Sequence, residues 1–185
     1  MKKHFYLVCD SYDNAFEKVR TAFKEKLLSA GGFVSMKEGD GTFSLYPAAA
    51  AVCREDYEGR EFMRLSSPLW HDTEAFRENG VRLIEEAEYY PFALLAYIGG
   101  FELLIPQFRS ALSDIISSEL PTFAILLSES ETENLRRILG IGDKLTAYSE
   151  RFRAAVGADE DSFCVNTCDA ACDELIRAWV TEYAV

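Results

Sequence analysis

Three cysteines around residue 170 have side chains and a spacing that could hold a metal ion. Cys164, Cys168 and Cys172 form the pattern C-x3-C-x3-C. Thiolates bind zinc and iron–sulfur clusters, but such sites need several ligands that converge on one point. Cys168 and Cys172 are four residues apart on a predicted helix and could share a face, yet no fourth ligand is nearby, and Ala170 and Ala171 continue an apolar pattern. The sequence favours small buried core residues, with a metal or redox site as the alternative.

The histidines offer little for nucleophilic catalysis. His4 and His71 are the only two in the chain. A cysteine–histidine pair would need Cys9 or Cys53 as the nucleophile, and no local signature supports either pairing. The sequence therefore does not predict a catalytic histidine.

A group of acids follows one of the predicted strands. Glu129, Glu131 and Glu133 come after Thr122–Leu127, where open α/β sheets usually bind ligands. A Ca²⁺ or Mg²⁺ site is one interpretation. Serine and glutamate are also usual at a helix start, and the sequence favours that capping role.

The elements that would position these side chains alternate between strands and helices. Strands are predicted at His4–Cys9, Phe33–Met36, Thr42–Tyr46, near Phe62–Leu65, and at Phe92–Ile98, Thr122–Leu127 and Phe163–Val165. Helices are predicted at Asn14–Ala30, where Gly31-Gly32 would end the helix, at Thr73–Glu88, at Pro106–Ser118, on both sides of Gly140-Ile141-Gly142, and at Cys168–Tyr183.

The strand pattern predicts the fold class. Phe92–Ile98 and Thr122–Leu127 are apolar on nearly every residue, as in central parallel strands with both faces covered. Glu38-Gly39-Asp40-Gly41 is a strong hairpin signal. We therefore expect residues 1–185 to form a single three-layer α/β domain, with a mostly parallel sheet flanked by helices and a β-hairpin after the first helix.

Composition and charge exclude some classes of partner. The 185 residues carry a formal net charge of -12, which disfavours nucleic acid and anionic membrane surfaces. The longest uncharged run is too short and too broken by Pro91 and glycines to cross a membrane. Five cysteines without an evident disulfide framework fit a reducing compartment. We expect a soluble cytoplasmic protein.

Aromatic side chains near the ends of predicted segments hint at a protein partner. Tyr12, Trp70, Tyr89 and Tyr90 lie outside obvious core positions. Tyrosine and tryptophan are enriched in interface hot spots. Another protein or a second copy of the chain is thus a candidate partner, and ordinary core or edge packing is the alternative.

Three stretches resemble the small P-loop nucleoside-triphosphatases, a family that hydrolyses assorted nucleoside triphosphates. AFKEKLLSAGGFVSMKEGDGTFSLY is similar to the first helix of that family, its Gly-Gly-Phe turn and its hairpin. FRENGVRLIEEAEYYPFALLAYIGGFELLIPQFRSAL is similar to the helix, Walker B strand and Ile-Gly-x-x-Glu-Leu run. VNTCDAACDELI is similar to the closing strand and last helix. The resemblance implies a P-loop NTPase-like fold.

The segment that corresponds to the family's Walker A loop lacks that motif. The family pattern is G-x-x-x-x-G-K-[ST], whose backbone N–H groups hold the phosphates and whose hydroxyl binds Mg²⁺. Residues 9–14 read Cys-Asp-Ser-Tyr-Asp-Asn. They have no glycine for positive φ angles and no lysine, and Asp10 and Asp13 add negative charge. The resemblance makes Asp10, Ser11, Tyr12, Asp13 and Asn14 the candidate ligand-binding residues.

The Walker B position is changed as well. The family pattern would place two acids at Ala96 and Tyr97, one for Mg²⁺ and one for the attacking water. Glu102 is the remnant candidate for catalysis, with helix-start capping as the alternative. Tyr97 and Arg109 join the candidate ligand-binding residues, Arg109 as a phosphate-sensing remnant or as an ordinary helical arginine.

The sequence thus predicts a catalytically degenerate member of this fold that serves in binding or assembly and needs no cofactor. The first alternative is an active nucleoside-triphosphatase or nucleotide binder with a rearranged site. It would use Mg²⁺ and ATP or GTP, with Asp10, Asp13 and Glu102 around the metal. The second is the metal or redox protein built on Cys164, Cys168 and Cys172.

Overall fold

The chain forms one mixed sheet with helices on both faces. The computed structural model describes residues 2–184, with the side chains of Tyr12 and Asp13 left out. Eight strands in this part of the chain pair in the order β5-β4-β3-β2-β6-β7-β1-β8. The strands are β1 His4–Cys9, β2 Ala30–Lys37, β3 Thr42–Pro47, β4 Arg60–Arg64, β5 Trp70–His71, β6 Phe92–Ile98, β7 Thr122–Leu127 and β8 Ser162–Asn166.

Six α-helices occur in the same described part of the chain. They are α1 Tyr12–Phe23, α2 Val81–Glu86, α3 Pro106–Ile116, α4 Glu129–Ile138, α5 Lys144–Ala158 and α6 Cys172–Tyr183. Short 3-10 turns extend several of them, at Lys24–Ser29 after α1 and at Ala87–Tyr89 after α2. A π-helical turn, Ala75–Gly80, precedes α2. None of the described helices is long and apolar enough to cross a membrane.

The two wholly apolar strands lie at the centre, as predicted. β6 pairs in parallel with β2 on one side and with β7 on the other. Every residue of β6 and β7 is buried. Helices on both faces exclude water from these strands, which is why neither alternates between apolar and polar residues.

The first face is covered by α1 and α6, which enclose a cluster of aromatic rings. Trp179 of α6 is fully buried. The centroid of its ring lies 5.8 Å from that of Phe23 in α1 and 5.4 Å from that of Phe123 in β7. Its indole Nε1 donates to the carbonyl of Lys3 at 3.2 Å, so the polar atom of this large side chain is also satisfied.

The second face is covered by α2, α3 and α5. Phe33 of β2 packs against Phe108 of α3 with ring centroids 5.8 Å apart, and α2 packs on both β2 and α3. α5 packs against β8. The three-layer arrangement and the mostly parallel sheet are therefore confirmed.

Two local predictions were wrong. Gly31-Gly32 does not end the first helix, because α1 ends at Phe23 and both glycines lie inside β2. A Cβ at Gly31 would lie 2.5 Å from the Cα of Ala87, so the glycine lets the turn after α2 contact the strand. The antiparallel part also extends beyond the predicted hairpin, because β4 and β5 add to β3.

Candidate functional site

The carboxyl ends of the parallel strands define the candidate site. β1, β6 and β7 are neighbours and run in the same direction, so the residues that follow them meet at one edge of the sheet. Ligands of open α/β sheets bind at this edge. The segments there are Asp10-Ser11, Gly99–Glu102 and Ser128–Glu131, which we call the carboxyl-edge loops.

The connection between β1 and α1 is very short. β1 ends at Cys9 and α1 begins at Tyr12, so only Asp10 and Ser11 lie between them. Ser11 has an extended backbone, with φ −153° and ψ 148°, and its side chain caps no N–H of the helix. The exposed Asp10 accepts a hydrogen bond of 3.3 Å from Ser130 Oγ.

The other candidates of this segment lie on α1. Asn14 is exposed in the first turn of that helix. The side chains of Tyr12 and Asp13 fall outside the described part of the structure. A phosphate-binding nest needs successive backbone N–H groups that curve around an anion. A two-residue connection in which neither residue has a positive φ does not form such a curve.

β6 ends in side chains that face the interior. Ala96 is fully buried and Tyr97 is 4% exposed. Tyr97 lines a cavity of about 230 Å³ between the end of β2 and α1, which we call the Tyr97 pocket. Its other lining residues are Phe16, Glu17, Ser35, Met36, Lys37 and Arg54. Ser35 is 5% exposed, and its Oγ has no hydrogen-bond partner among the described residues.

Glu102 is buried against the loop that follows β6. Its Oε1 accepts hydrogen bonds from the backbone N–H of Gly99 at 2.7 Å and of Gly100 at 2.8 Å. Burial raises the pKa of this carboxyl to about 7, and the two backbone donors oppose that rise. The side chain thus closes the turn that its own segment forms after the strand.

Arg109 lies away from the β1–α1 connection. Its Nη1 donates to the carbonyl of Leu103 at 2.6 Å, and its guanidinium lies 3.9 Å from the ring centroid of Tyr148 in α5. These contacts hold it in a groove between α3 and α5. The structure therefore does not bring Arg109 together with Asp10 and Ser11.

Sequence reasoning missed Arg153, a cation close to the carboxyl edge. It reaches from α5 to the carbonyl of Leu127, the last residue of β7, and to Ser149 Oγ at 3.3 Å. Burial lowers the pKa of its guanidinium. No local pattern marks this position, because an arginine in an amphipathic helix is usually exposed.

The acids after β7 behave as a helix start. The backbone N–H of Glu131 donates to Ser128 Oγ at 3.3 Å, which is a helix N-cap. Glu133 pairs with Arg136 at 2.7 Å. Burial, and secondarily the charge of Asp10, raise the pKa of Glu131. No group of three or more potential metal ligands occurs among the described residues.

The cysteines are less buried than predicted. Only Cys172 of the three is buried, while Cys164 and Cys168 are exposed. Cys168 lies in the turn before α6 rather than in the helix, because α6 begins at Cys172. The predicted shared helix face and the prediction of three core residues were therefore wrong. Partial desolvation of the thiol raises the pKa of Cys164, and burial raises the pKa of Cys172. Both shifts disfavour the thiolate form that metals and oxidants need.

Comparison with known proteins identifies a similarity of fold. No protein-family model matches the chain, and no curated protein matches it. The chain is similar to the crystal structure of THEP1 from the hyperthermophile Aquifex aeolicus, with a TM-score of 0.61 and 13% sequence identity. The alignment covers 97% of this chain and 98% of that one. This likeness shows that the chain has a P-loop NTPase-like fold.

Proposed function

We propose that this protein uses a P-loop NTPase-like fold for binding or assembly and does not hydrolyse nucleoside triphosphates. The observation that supports this most is the two-residue connection from β1 to α1. Phosphoryl transfer on this fold depends on a glycine-rich loop, a lysine and a hydroxyl between the first strand and helix. The chain has too few residues there to surround a phosphate.

The charge at this connection also opposes a triphosphate. Asp10 is exposed, and Glu131 lies close enough for the charge of Asp10 to raise its pKa. A carboxylate and a phosphate oxygen about 4 Å apart repel by about 4 kcal/mol at an effective dielectric constant of 20. Arg153, the nearby cation, already binds the carbonyl of Leu127. Its guanidinium therefore has fewer N–H donors left for a triphosphate.

The remnant candidates also lie elsewhere or are already bonded. Glu102 accepts the N–H groups of Gly99 and Gly100, and Arg109 lies in the groove between α3 and α5, away from the β1–α1 connection. An active site rebuilt from Asp10, Asp13 and Glu102 would have to break the contacts of Glu102 first. This supports a structural role for Glu102 over a metal-binding one.

The Tyr97 pocket is the part of the candidate site that has room for a small ligand. Its volume of about 230 Å³ is below the ~300–1,000 Å³ of typical ligand pockets, so a whole nucleotide does not fit. The buried Ser35 Oγ has no partner among the described residues and can serve a smaller group. Lys37 adds a positive charge at the wall and Glu17 a negative one, while Arg54 is already paired with Glu38. We assign the retained binding role to this pocket.

Phosphate release and thermal shift together test the proposal. We expect no phosphate release above the no-protein blank from a panel of nucleoside triphosphates with Mg²⁺. We also expect no rise in melting temperature with any of these nucleotides. A nucleotide present at about 100 times its Kd would add ~2.7 kcal/mol of apparent stability, which such a scan detects easily.

Two variants separate true turnover from a contaminating enzyme. Asp10→Asn and Glu102→Gln remove the charges that an alternative metal site would need. If the wild type released phosphate and both variants lost that activity, the alternative of a rearranged nucleoside-triphosphatase would replace our proposal. If activity were the same in all three proteins, it would come from a contaminant and the proposal would stand.

A further inference from the structure

A groove on the second face of the sheet lies apart from the carboxyl edge. It runs between α3 and α5 and has a volume of about 620 Å³, within the range of small-molecule sites. One end is lined by Lys3 and His4, at the start of β1, which is the opposite end of that strand from the carboxyl-edge loops. We call this cavity the α3–α5 groove.

His4 at that end has an unsatisfied polar atom. The residue is 1% exposed, and its Nδ1 has no hydrogen-bond partner among the described residues. Burial lowers the pKa of His4, so the ring is neutral near pH 7 and has one donor and one acceptor nitrogen. Asp159, which lines the same end, has a buried Oδ2 without a partner in residues 2–184. Buried polar groups normally find a partner, so these two atoms leave this end of the groove short of one.

The other end of the groove has unpaired positive charge. Arg109 and Arg151 line it, and neither forms an ion pair with any described carboxylate. Both arginines line the same cavity and lie near the same ring, that of Tyr148, at 3.9 Å and 5.9 Å from its centroid. Arg109 is held flat against Tyr148, so its guanidinium is already oriented. At the His4 end, by contrast, Lys3 is neutralised by Glu119 at 2.8 Å and by Asp161 at 3.7 Å.

The middle of the groove is apolar. It is lined by Leu103, Leu112, Ile116, Phe152 and Val156. A helix advances 1.5 Å per residue, so Arg109 and Ile116 are separated by about 10 Å along α3. A ligand that spans the groove therefore has an apolar body of roughly this length.

From these three features we infer that the α3–α5 groove binds a small aromatic carboxylate. Its acid group pairs with Arg109 and Arg151, its ring system lies on the apolar middle, and a polar group at its far end hydrogen-bonds to His4. Arg109 acts in this site as an anion-binding residue, away from the carboxyl edge. The inference does not depend on the proposed function, because the two sites share no residue.

A matched pair of probes tests the inference, 6-hydroxy-2-naphthoate, whose hydroxyl is the polar group at the far end, and its neutral amide 6-hydroxy-2-naphthamide. We titrate each into ¹⁵N-labelled protein and follow amide and histidine-ring signals by NMR. For the acid we expect saturable shifts confined to α3, α5 and the ring of His4, with a Kd of roughly 1 mM for a probe of this size. For the amide we expect at least about tenfold weaker binding. Equal affinity for the two probes, or shifts centred on other elements, would overturn the inference.

Variants on the exposed rim keep the test independent of folding. Arg151→Glu should weaken the binding of 6-hydroxy-2-naphthoate about tenfold, and Ala155→Phe, which fills the groove from α5, should abolish saturation. Lys144→Glu is the control, since Lys144 is exposed on the same helix, lines no described cavity and undergoes the same change in charge. If Lys144→Glu weakened binding as much as Arg151→Glu does, general attraction to the helix would explain the result, and the site would be rejected.

Discussion

Glu102 is an acidic residue that lies in the core of the protein. Its carboxyl is fully enclosed, and burial raises its pKa from 4.5 to about 7. Between these two pH values the folded protein retains a proton that the unfolded chain releases. The stability that comes from the neutral carboxyl is therefore fully present below about pH 4.5 and is lost as the pH rises through about 7.

Glu102→Gln should remove this pH dependence. The glutamine oxygen still accepts from Gly99 and Gly100, but the side chain does not ionise. At about pH 8 we expect the variant to be more stable than the wild type by on the order of 3 kcal/mol, and at about pH 4.5 we expect little difference. Urea denaturation at the two pH values measures this.

Glu85→Gln is the control for the loss of one negative charge, because Glu85 is exposed on α2. Its effect on the free energy of unfolding should be small at both pH values. If Glu102→Gln were destabilising at about pH 8, the ionised carboxylate would be the form that holds the Gly99-Gly100 turn, and a metal-binding role for Glu102 would regain support.

The sequence predicted which segment carries the candidate site residues, but not the contacts that each side chain makes. Asp10, Ser11 and Asn14 do lie after β1, because a strand and an amphipathic helix are strong local signals. The partners of Glu102 and Arg109 could not be predicted, since each depends on backbone atoms whose positions the tertiary fold sets. Arg153 went unnoticed for the same reason.

Two glycines show how differently one residue type serves two elements. Gly31 lies in β2, where an added Cβ would be 2.5 Å from the Cα of Ala87. Gly157 lies in α5, where an added Cβ would meet nothing within 4 Å. Close packing therefore requires the first glycine, while the second only costs helix stability.

The two alanine substitutions should change stability in opposite directions. Gly31→Ala forces the turn after α2 away from the strand, and we expect a loss of about 1–3 kcal/mol. Gly157→Ala should stabilise the protein by about 0.5–1 kcal/mol because alanine favours the helix. Thermal and urea unfolding measure both, and a neutral Gly31→Ala would show that the turn can move away from β2 at little cost.

Strand identities were predictable, and helix boundaries were less so. Phe92–Ile98 and Thr122–Leu127 are strands within the predicted limits because a continuous apolar run between turn signals has few alternatives. The helix predicted at Asn14–Ala30 ends instead at Phe23 and continues as a 3-10 turn that buries Leu27. Periodicity does not distinguish an α-helix from a tighter turn when both bury the same side chain.

The whole molecule carries much more negative than positive charge. The formal net charge is -12, and most of the ion pairs in the described part of the chain have at least one exposed partner. Exposed pairs contribute little to stability, so mutual repulsion should dominate the response to salt.

Salt should therefore stabilise the folded state. A change from about 0.01 M to about 0.15 M NaCl shortens the Debye length from ~30 Å to ~8 Å. We expect a gain of roughly 1 kcal/mol, which raises the melting temperature of a domain of this size by roughly 2–4 °C. Differential scanning calorimetry at several NaCl concentrations measures this, with sucrose at equal osmolarity as the uncharged control. A melting temperature that falls with salt would mean that the ion pairs outweigh the repulsion.

For the molecule as a whole, the fold class could be predicted from the sequence, but the cavities could not. The layering follows from the alternation of buried strands and helices along the chain, and THEP1 is similar in fold at 13% identity. The α3–α5 groove brings His4 together with residues more than a hundred positions later in the chain. No local sequence pattern indicates that residues so far apart in the chain line one cavity.

The brevity of the β1–α1 connection has a consequence for how this chain can change. A Walker A motif places six residues, G-x-x-x-x-G, before the lysine that opens the helix, and here two residues fill that space. Point mutations replace side chains but add no backbone. A phosphate cradle here would require an in-frame insertion of about four codons. Substitutions alone do not supply it, and an engineer would have to lengthen the connection before choosing its residues.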